Sequence, residues 1–372
     1  MRRPLTLVAV AALVGLTACS NADAGTTAKS IAVRATDSQC RVADTSLAAG
    51  THSFEIRNDG SQVTEFYVYG AGDRILGEVE NIGPGVSRTL HVELPAGAYQ
   101  AACKPGMAGK GIRSALTVSG TARQQVGDEA ELAAATASYK RYVQAQSTAL
   151  IQQTGEFVAA VKARDNAKAK ALFPVARTYW ERIEPVAASF GDLDPKIDAR
   201  ENDVESGQPW TGFHRIEKDL WVTGDVSRSG AIADQLLADV RLVATRSQAI
   251  TFTPLQMANG SKSLLDEVAT GKVTGEEDRY SHTDLWDFRG NLDGAKAAVA
   301  ALRPVLAKRD PELLTTVEAR FAAVDALLAA HARGAGFASY TELSKPEVRA
   351  LAVAVDAVAE PLSRVAATVA RR

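Results

Sequence analysis

Five histidines occur in 372 residues, and His214 stands three positions before Glu217 in a segment, 211–221, whose apolar spacing is helical. Residues three apart on a helix share a face, so this imidazole and carboxylate can converge on one ion. The spacing alone would equally suit a solvated hydrogen bond, and the surroundings decide between them. Upstream, Glu181, Glu184, Asp192, Asp194, Asp198, Glu201 and Asp203 crowd around a chain reversal. Downstream, Glu276-Glu277-Asp278-Arg279-Tyr280-Ser281-His282-Thr283-Asp284 sets a second histidine among acids. Three acidic segments, two of them with a histidine, exceed what a solvated surface needs. Carboxylates with one or two imidazoles suit iron, manganese or zinc rather than copper(I). His282 and Asp284, two apart, point to nearly opposite sides of a helix, so both reach one ion only if the chain is irregular there. A zinc peptidase of the HExxH kind needs two histidines four apart, and HRIE (214–217) has one.

These residues need rigid elements to aim them. Past Gly127 the chain turns to Ala, Leu, Val, Lys and Glu, with Tyr139, Tyr142, Val143 and Leu150 at helical spacing. Further helices are expected at 166–189, 211–222, 228–249, 254–270, 291–308, 311–332 and 346–369. Short turns between long helices imply antiparallel packing, so residues 127–372 are read as an all-α helical-bundle domain of two bundles, a setting in which facing helices build metal sites. His331 reads as a helix C-terminal residue, where a cation suits the dipole.

Before it, residues 30–120 read as a small antiparallel β-sandwich. Strands are expected over Ile31 to Ala35, Thr51 to Arg57, Val63 to Tyr69, Ser87 to Glu93, Tyr99 to Cys103 and Ser114 to Val118, with turn residues at Asn58-Asp59-Gly60, Gly83-Pro84-Gly85 and Pro95-Ala96-Gly97 between them. Cys40 and Cys103 fall in this half and are open to two readings, a disulfide or a metal site. A blue-copper centre is disfavoured, because the loop after Cys103 supplies Met107 but no histidine.

The N-terminus sets the compartment. Arg2 and Arg3 precede an apolar run of about a dozen residues, where a spanning helix needs ~20, so residues 1–18 read as a signal peptide. Leu16-Thr17-Ala18-Cys19 has the form of a bacterial lipobox, with Cys19 the lipidated residue and 19–29 a flexible tether. Both that reading and a plain signal peptide export the chain to the cell envelope or periplasm, where disulfides form. With 42 basic against 44 acidic residues, there is no basic footprint for nucleic acid.

The segments ERIEP (181–185), FGDLDPKID (190–198), GFHRIEKDLW (212–221) and RYSHTDLWDF (279–288), in that order, resemble the imelysin-like family in its EfeO-type, iron-uptake branch. The resemblance runs over nearly the whole chain after the signal and implies a cupredoxin-like leading domain before an imelysin-like one. It implies a carrier that takes ferrous or ferric ion, beside a membrane permease and a haem-containing peroxidase, with zinc as a surrogate ion. The family's metal-binding pair falls on His214 and Glu217, with Glu217 either ligating or orienting the histidine. The acidic ligands fall on Glu184, Asp198 and Glu277, and His282 and Asp284 match as sequence. In the sandwich the resemblance implies a site for copper or a second iron at Cys40, Glu65 and Cys103, with Met107 as a soft addition. Protonation of carboxylates and of His214 would loosen such a site as pH falls. Two other functions stand beside this one: the peptidase label borne by the wider family, and a carrier for an iron chelate or acidic polysaccharide stacking on Trp210, Trp221 or Trp286.

Overall fold

A computed structural model describes residues 30–121, 129–204 and 207–371. The signal peptide, Cys19 and the tether lie outside the described residues. Nine strands form the first domain: β1 (Ile31–Ala35), β2 (Cys40–Val42), β3 (Ser46–Ala48), β4 (Gly50–Asn58), β5 (Thr64–Tyr69), β6 (Ile75–Ile82), β7 (Ser87–Leu94), β8 (Gly97–Cys103) and β9 (Ile112–Ser119). They pair as two sheets, β2-β1-β4-β7 and β3-β9-β8-β5-β6. The ladders are antiparallel except β1 with β4 and β3 with β9, which run parallel. Alternate residues of each strand point inward, so Val33, Phe54, Ile56, Phe66, Val68, Leu90, Leu116 and Val118 make one apolar core between the sheets. Three strands escaped the sequence reading. β2 and β3 are three residues each, and β6 puts Glu78 and Glu80 on its outer face, which masks its alternation.

The second domain holds nine helices among the described residues: α1 (Glu129–Lys162), α2 (Asn166–Glu181), α3 (Leu193–Asp198), α4 (Gly212–Lys218), α5 (Gly230–Ala249), α6 (Pro254–Thr270), α7 (Asp284–Arg309), α8 (Pro311–Ala330) and α9 (Lys345–Ala370). α7 packs against α1 and α2 on one side and α6, α8 and α9 on the other, so two groups of helices share it and a continuous apolar core. No helix of the described residues is long and apolar enough to cross a membrane.

Of the helix boundaries that differ from the sequence reading, two matter most for chemistry. The helix expected over 166–189 ends at Glu181, and a 3-10 stretch, Glu184–Phe190, follows. Pro185 lacks the N–H a helix needs and disfavours helical backbone at Glu184. α7 starts at Asp284 rather than 291, its first turn carrying Asp284 and Asp287, where negative charge suits the helix dipole. Gly290 and Gly294, which look like breakers, instead admit close packing: a Cβ on Gly290 would lie 2.5 Å from the Cβ of Glu181, and one on Gly294 2.6 Å from the Arg182 carbonyl oxygen.

The domains meet where the edge strands β6 and β7 lie against α6, with β6 also on the 3-10 stretch and β7 on α9, and the Asn259 side chain donates to the His91 carbonyl of β7 at 2.6 Å. Between them is a cavity of about 210 Å³ lined by Glu78 and Glu80 from one side and Glu184, Asp194 and Glu267 from the other, with Lys104 as its cation. Burial, then the nearby Glu65 and Asp194 charges, push Glu78 up to about 8, and burial with Glu78 does the same for Glu80. A carboxyl raised on folding stabilises the fold at low pH and loses that contribution as pH climbs through its folded value. Melting curves should therefore show the sandwich weakening between pH 5 and 9, and Glu78→Gln with Glu80→Gln should flatten that slope. A variant that differs from wild type by a constant amount at every pH would contradict this.

Candidate metal centre

α4 and α3 aim the key side chains. His214 and Glu217 are one helical turn apart on α4 and both buried, at 2% and 0% exposure. His214 Nδ1 lies 3.0 Å from Glu217 Oε2. The other Glu217 oxygen accepts the backbone N–H groups of Tyr280 and Ser281 at 2.9 and 2.7 Å. Both carboxylate oxygens are thus in use, and the imidazole is held in one orientation.

That orientation turns Nε2 toward Glu277 Oε1 at 3.5 Å and Asp198 Oδ1 at 3.6 Å. Asp198 ends α3, and Glu277 sits in the loop before α7. The three donor atoms lie within 4.8 Å of one another, as do those of His214, Glu217 and Asp278 around the other ring nitrogen. Nitrogen and oxygen donors about 2.1 Å from an ion in tetrahedral array sit about 3.4 Å apart, close to the separations found around Nε2. Nε2 itself, like Asp278 Oδ1, is buried without a hydrogen-bond partner. Asp198, the least buried of the three, gives the site its edge toward solvent.

The charges are tightly balanced. Burial and the Arg177 charge resist protonation of His214, but Glu217, Glu277 and Asp198 outweigh them and raise it to about 9. Burial works against the Glu277 carboxylate, yet Lys272, His214 and Arg177 hold it ionised well below the usual range. Asp198 is raised, burial outweighing its Arg177 partner. The arrangement can take a cation on one imidazole nitrogen and two carboxylate oxygens once the Nε2 proton leaves, a donor set matched to hard and borderline ions.

Several residues singled out in the sequence stand apart from this cluster. Glu184 is taken by Lys272, whose ammonium lies 2.8 and 2.9 Å from its two oxygens, and by Asn291. Pro185 ends regular helix there and leaves Glu184 lining the interdomain cavity instead. His282 is half-buried in left-handed backbone, φ 57°, and belongs to neither donor group. Asp284 is buried, but it accepts the Asp278 backbone N–H at 3.2 Å and joins neither group. Conversely, Asp278, Arg177 and Lys272 were not singled out. The only local trace was Asp278 beside Glu277 and Arg177 four residues before Glu181.

The sandwich residues do not converge either. Cys40 and Cys103 form a disulfide between β2 and β8, so neither offers a thiolate. Cys103 pairs with Phe66 and points into the core, whereas Glu65, one residue earlier on β5, faces the opposite side of the sheet. There it accepts from the Tyr67 hydroxyl at 2.8 Å, with Lys104 at 3.9 Å. Met107 is 47% exposed. The copper or second-iron site at these four residues is corrected accordingly. Trp210, Trp221 and Trp286 are half-buried; Arg215 and Lys218 lie over the Trp210 ring, Lys170 lies over the Trp221 ring, and Trp286 packs edge-on with Phe337.

A β-sandwich leading a helical domain that buries a histidine and carboxylate cluster defines a two-domain protein. Family profiles agree: one for imelysin matches residues 135–365 and carries a peptidase label, and one for a cupredoxin-like domain matches residues 7–118. The chain belongs to the imelysin family. It is 38% identical over 369 residues to the iron uptake system component EfeO of Escherichia coli O6:K15:H31 (strain 536 / UPEC), covering 98% of this chain and 96% of that protein. The proteins of the same description from Escherichia coli K12 and Shigella flexneri match at the same identity and coverage.

Proposed function

We propose that this chain is the extracytoplasmic iron-binding component of a bacterial iron-uptake system. It captures ferrous or ferric ion on Asp198, His214 and Glu277 and passes it to a membrane permease, working beside a haem-containing peroxidase and tethered by lipid on Cys19. Glu217 orients the imidazole rather than ligating. The observation that carries this reading is the buried, unpartnered Nε2 of His214 facing two carboxylate oxygens at ligand-like separations. The full-length match to relatives described as iron uptake components supports the choice of iron.

A carrier must release its cargo. One imidazole and two carboxylates, with Asp198 toward solvent, suit release better than a closed thiolate cage. Hydrolysis finds less support: α4 supplies one histidine, and no second imidazole joins either donor group among the described residues. The test is calorimetry of the purified chain with ferrous ion under anaerobic conditions and with ferric citrate, together with a digest of casein by the metal-loaded protein. One equivalent of iron bound and casein intact is expected. No binding of either form, or cleavage of casein, would sink the proposal.

A further inference from the structure

The geometry points to Arg177 as an exchangeable counter-cation of the metal centre: it holds the ligands in place without metal and keeps the affinity low enough for release. This rests on the binding site proposed above. Arg177, on α2, is fully buried, with its guanidinium carbon 5.9 Å from the ring centres of both Phe173 and Phe213. One carboxylate would satisfy a buried arginine, yet five converge on this one. Nη1 binds Asp198 Oδ1; Nη2 reaches Glu181 at 2.5 Å, Asp287 at 3.2 Å and Glu277 Oε1 at 3.3 Å; Nε lies 3.3 Å from Asp278.

Two of those oxygens, Asp198 Oδ1 and Glu277 Oε1, are the ones that face His214 Nε2. The guanidinium therefore stands where a metal's charge would be felt, on the atoms a metal would use. It cannot shed its proton at any working pH, so its charge must either stay beside an incoming ion or move. Glu181 and Asp287, which belong to neither donor group around His214, already hold Nη2, and they form the resting place onto which the guanidinium withdraws as metal takes Asp198 and Glu277. The ligand set is thus kept assembled and charge-compensated when empty, and every binding event must displace a permanent positive charge.

The inference predicts changes of opposite sign. Arg177→Gln, which keeps an amide donor but removes the charge, should tighten metal binding at least tenfold and enlarge the rise in melting temperature that metal produces. Asp287→Asn, which touches Arg177 but none of the proposed ligands, removes part of the resting place and should weaken binding severalfold. In the Arg177→Gln background the Asp287→Asn effect should vanish, because two residues that act through one contact are coupled. A purely structural arginine would instead lower the melting temperature equally with and without metal. The experiment is calorimetry and thermal melts of the full chain and these variants with ferrous ion under anaerobic conditions. Wild type that binds no iron would overturn the site itself. Wild type that binds, with Arg177→Gln unchanged or weaker, would overturn the role given to Arg177 and leave the site standing. If Arg177→Gln does not fold, Asp287→Asn decides: weaker binding supports the inference, and equal or tighter binding overturns it.

Discussion

Replacing His214 by alanine is expected to lower iron affinity by more than about 100-fold while the helical domain stays folded. The size follows from comparison with its partner: losing a group that only orients a metal-bound histidine costs about 10- to 100-fold, so losing the histidine must cost more. Glu217→Gln is the graded control. The amide retains an oxygen but leaves the histidine without a charged acceptor, and its NH2 opposes the N–H groups of Tyr280 and Ser281, so a loss within the 10- to 100-fold range is expected. The alanine variant also removes a partner of Glu217 and Glu277, which costs stability on the order of 1–3 kcal/mol. Circular dichroism and melting curves separate this from loss of the site. Wild-type affinity in His214→Ala refutes the assignment. A Glu217→Gln variant as damaged as His214→Ala would make Glu217 a ligand.

The residues that carry this site were partly legible in the sequence, and the reasons differ residue by residue. His214 and Glu217 announce themselves because a helix turns three residues into a local contact. Asp198 and Glu277 gave no such signal. They lie 16 residues before and 63 after His214, and only matched motifs reached them. Glu184 was drawn in by the same matching, although Pro185 beside it already marked the break that turns it away. Arg177 and Lys272 were invisible for another reason: a lone cation on a helix, or in the turn just past one, reads as a solvated side chain, and only tertiary packing buries it. Lys272 pairs with Glu181 across 91 residues. In the sandwich, Glu65 and Cys103 look like neighbours at strand ends, but which face each occupies depends on the register of β5 against β8. That register puts Phe66, not Glu65, opposite Cys103.

Gly212→Ala is expected to damage both fold and site, and the reason lies in how α3 meets α4. Gly212 has φ +86°, and a Cβ there would lie 2.2 Å from the carbonyl oxygen of Ile197 and 2.8 Å from that of Lys196. Ile197 immediately precedes Asp198, and Gly212 lies two residues before His214. The missing side chain therefore sets how closely the two ligand-bearing helices approach, and with it the 3.6 Å between Asp198 Oδ1 and His214 Nε2. A methyl group must pay left-handed strain of about 1–2 kcal/mol and also force backbone against backbone. Together these should cost about 3 kcal/mol or more, a fall of roughly 6–12 °C in Tm at this domain size. Because a binding site tolerates only about 0.5 Å of displacement, iron affinity should drop at least about tenfold even where the variant is fully folded. Gly224→Ala is the matched control. Its φ is +66° and a Cβ there meets nothing within 4 Å, so it carries the backbone strain without the clash. It should lose a few degrees and keep its affinity for iron. Were Gly212→Ala to bind iron like wild type, the approach of α3 to α4 would not be what places Asp198 against His214.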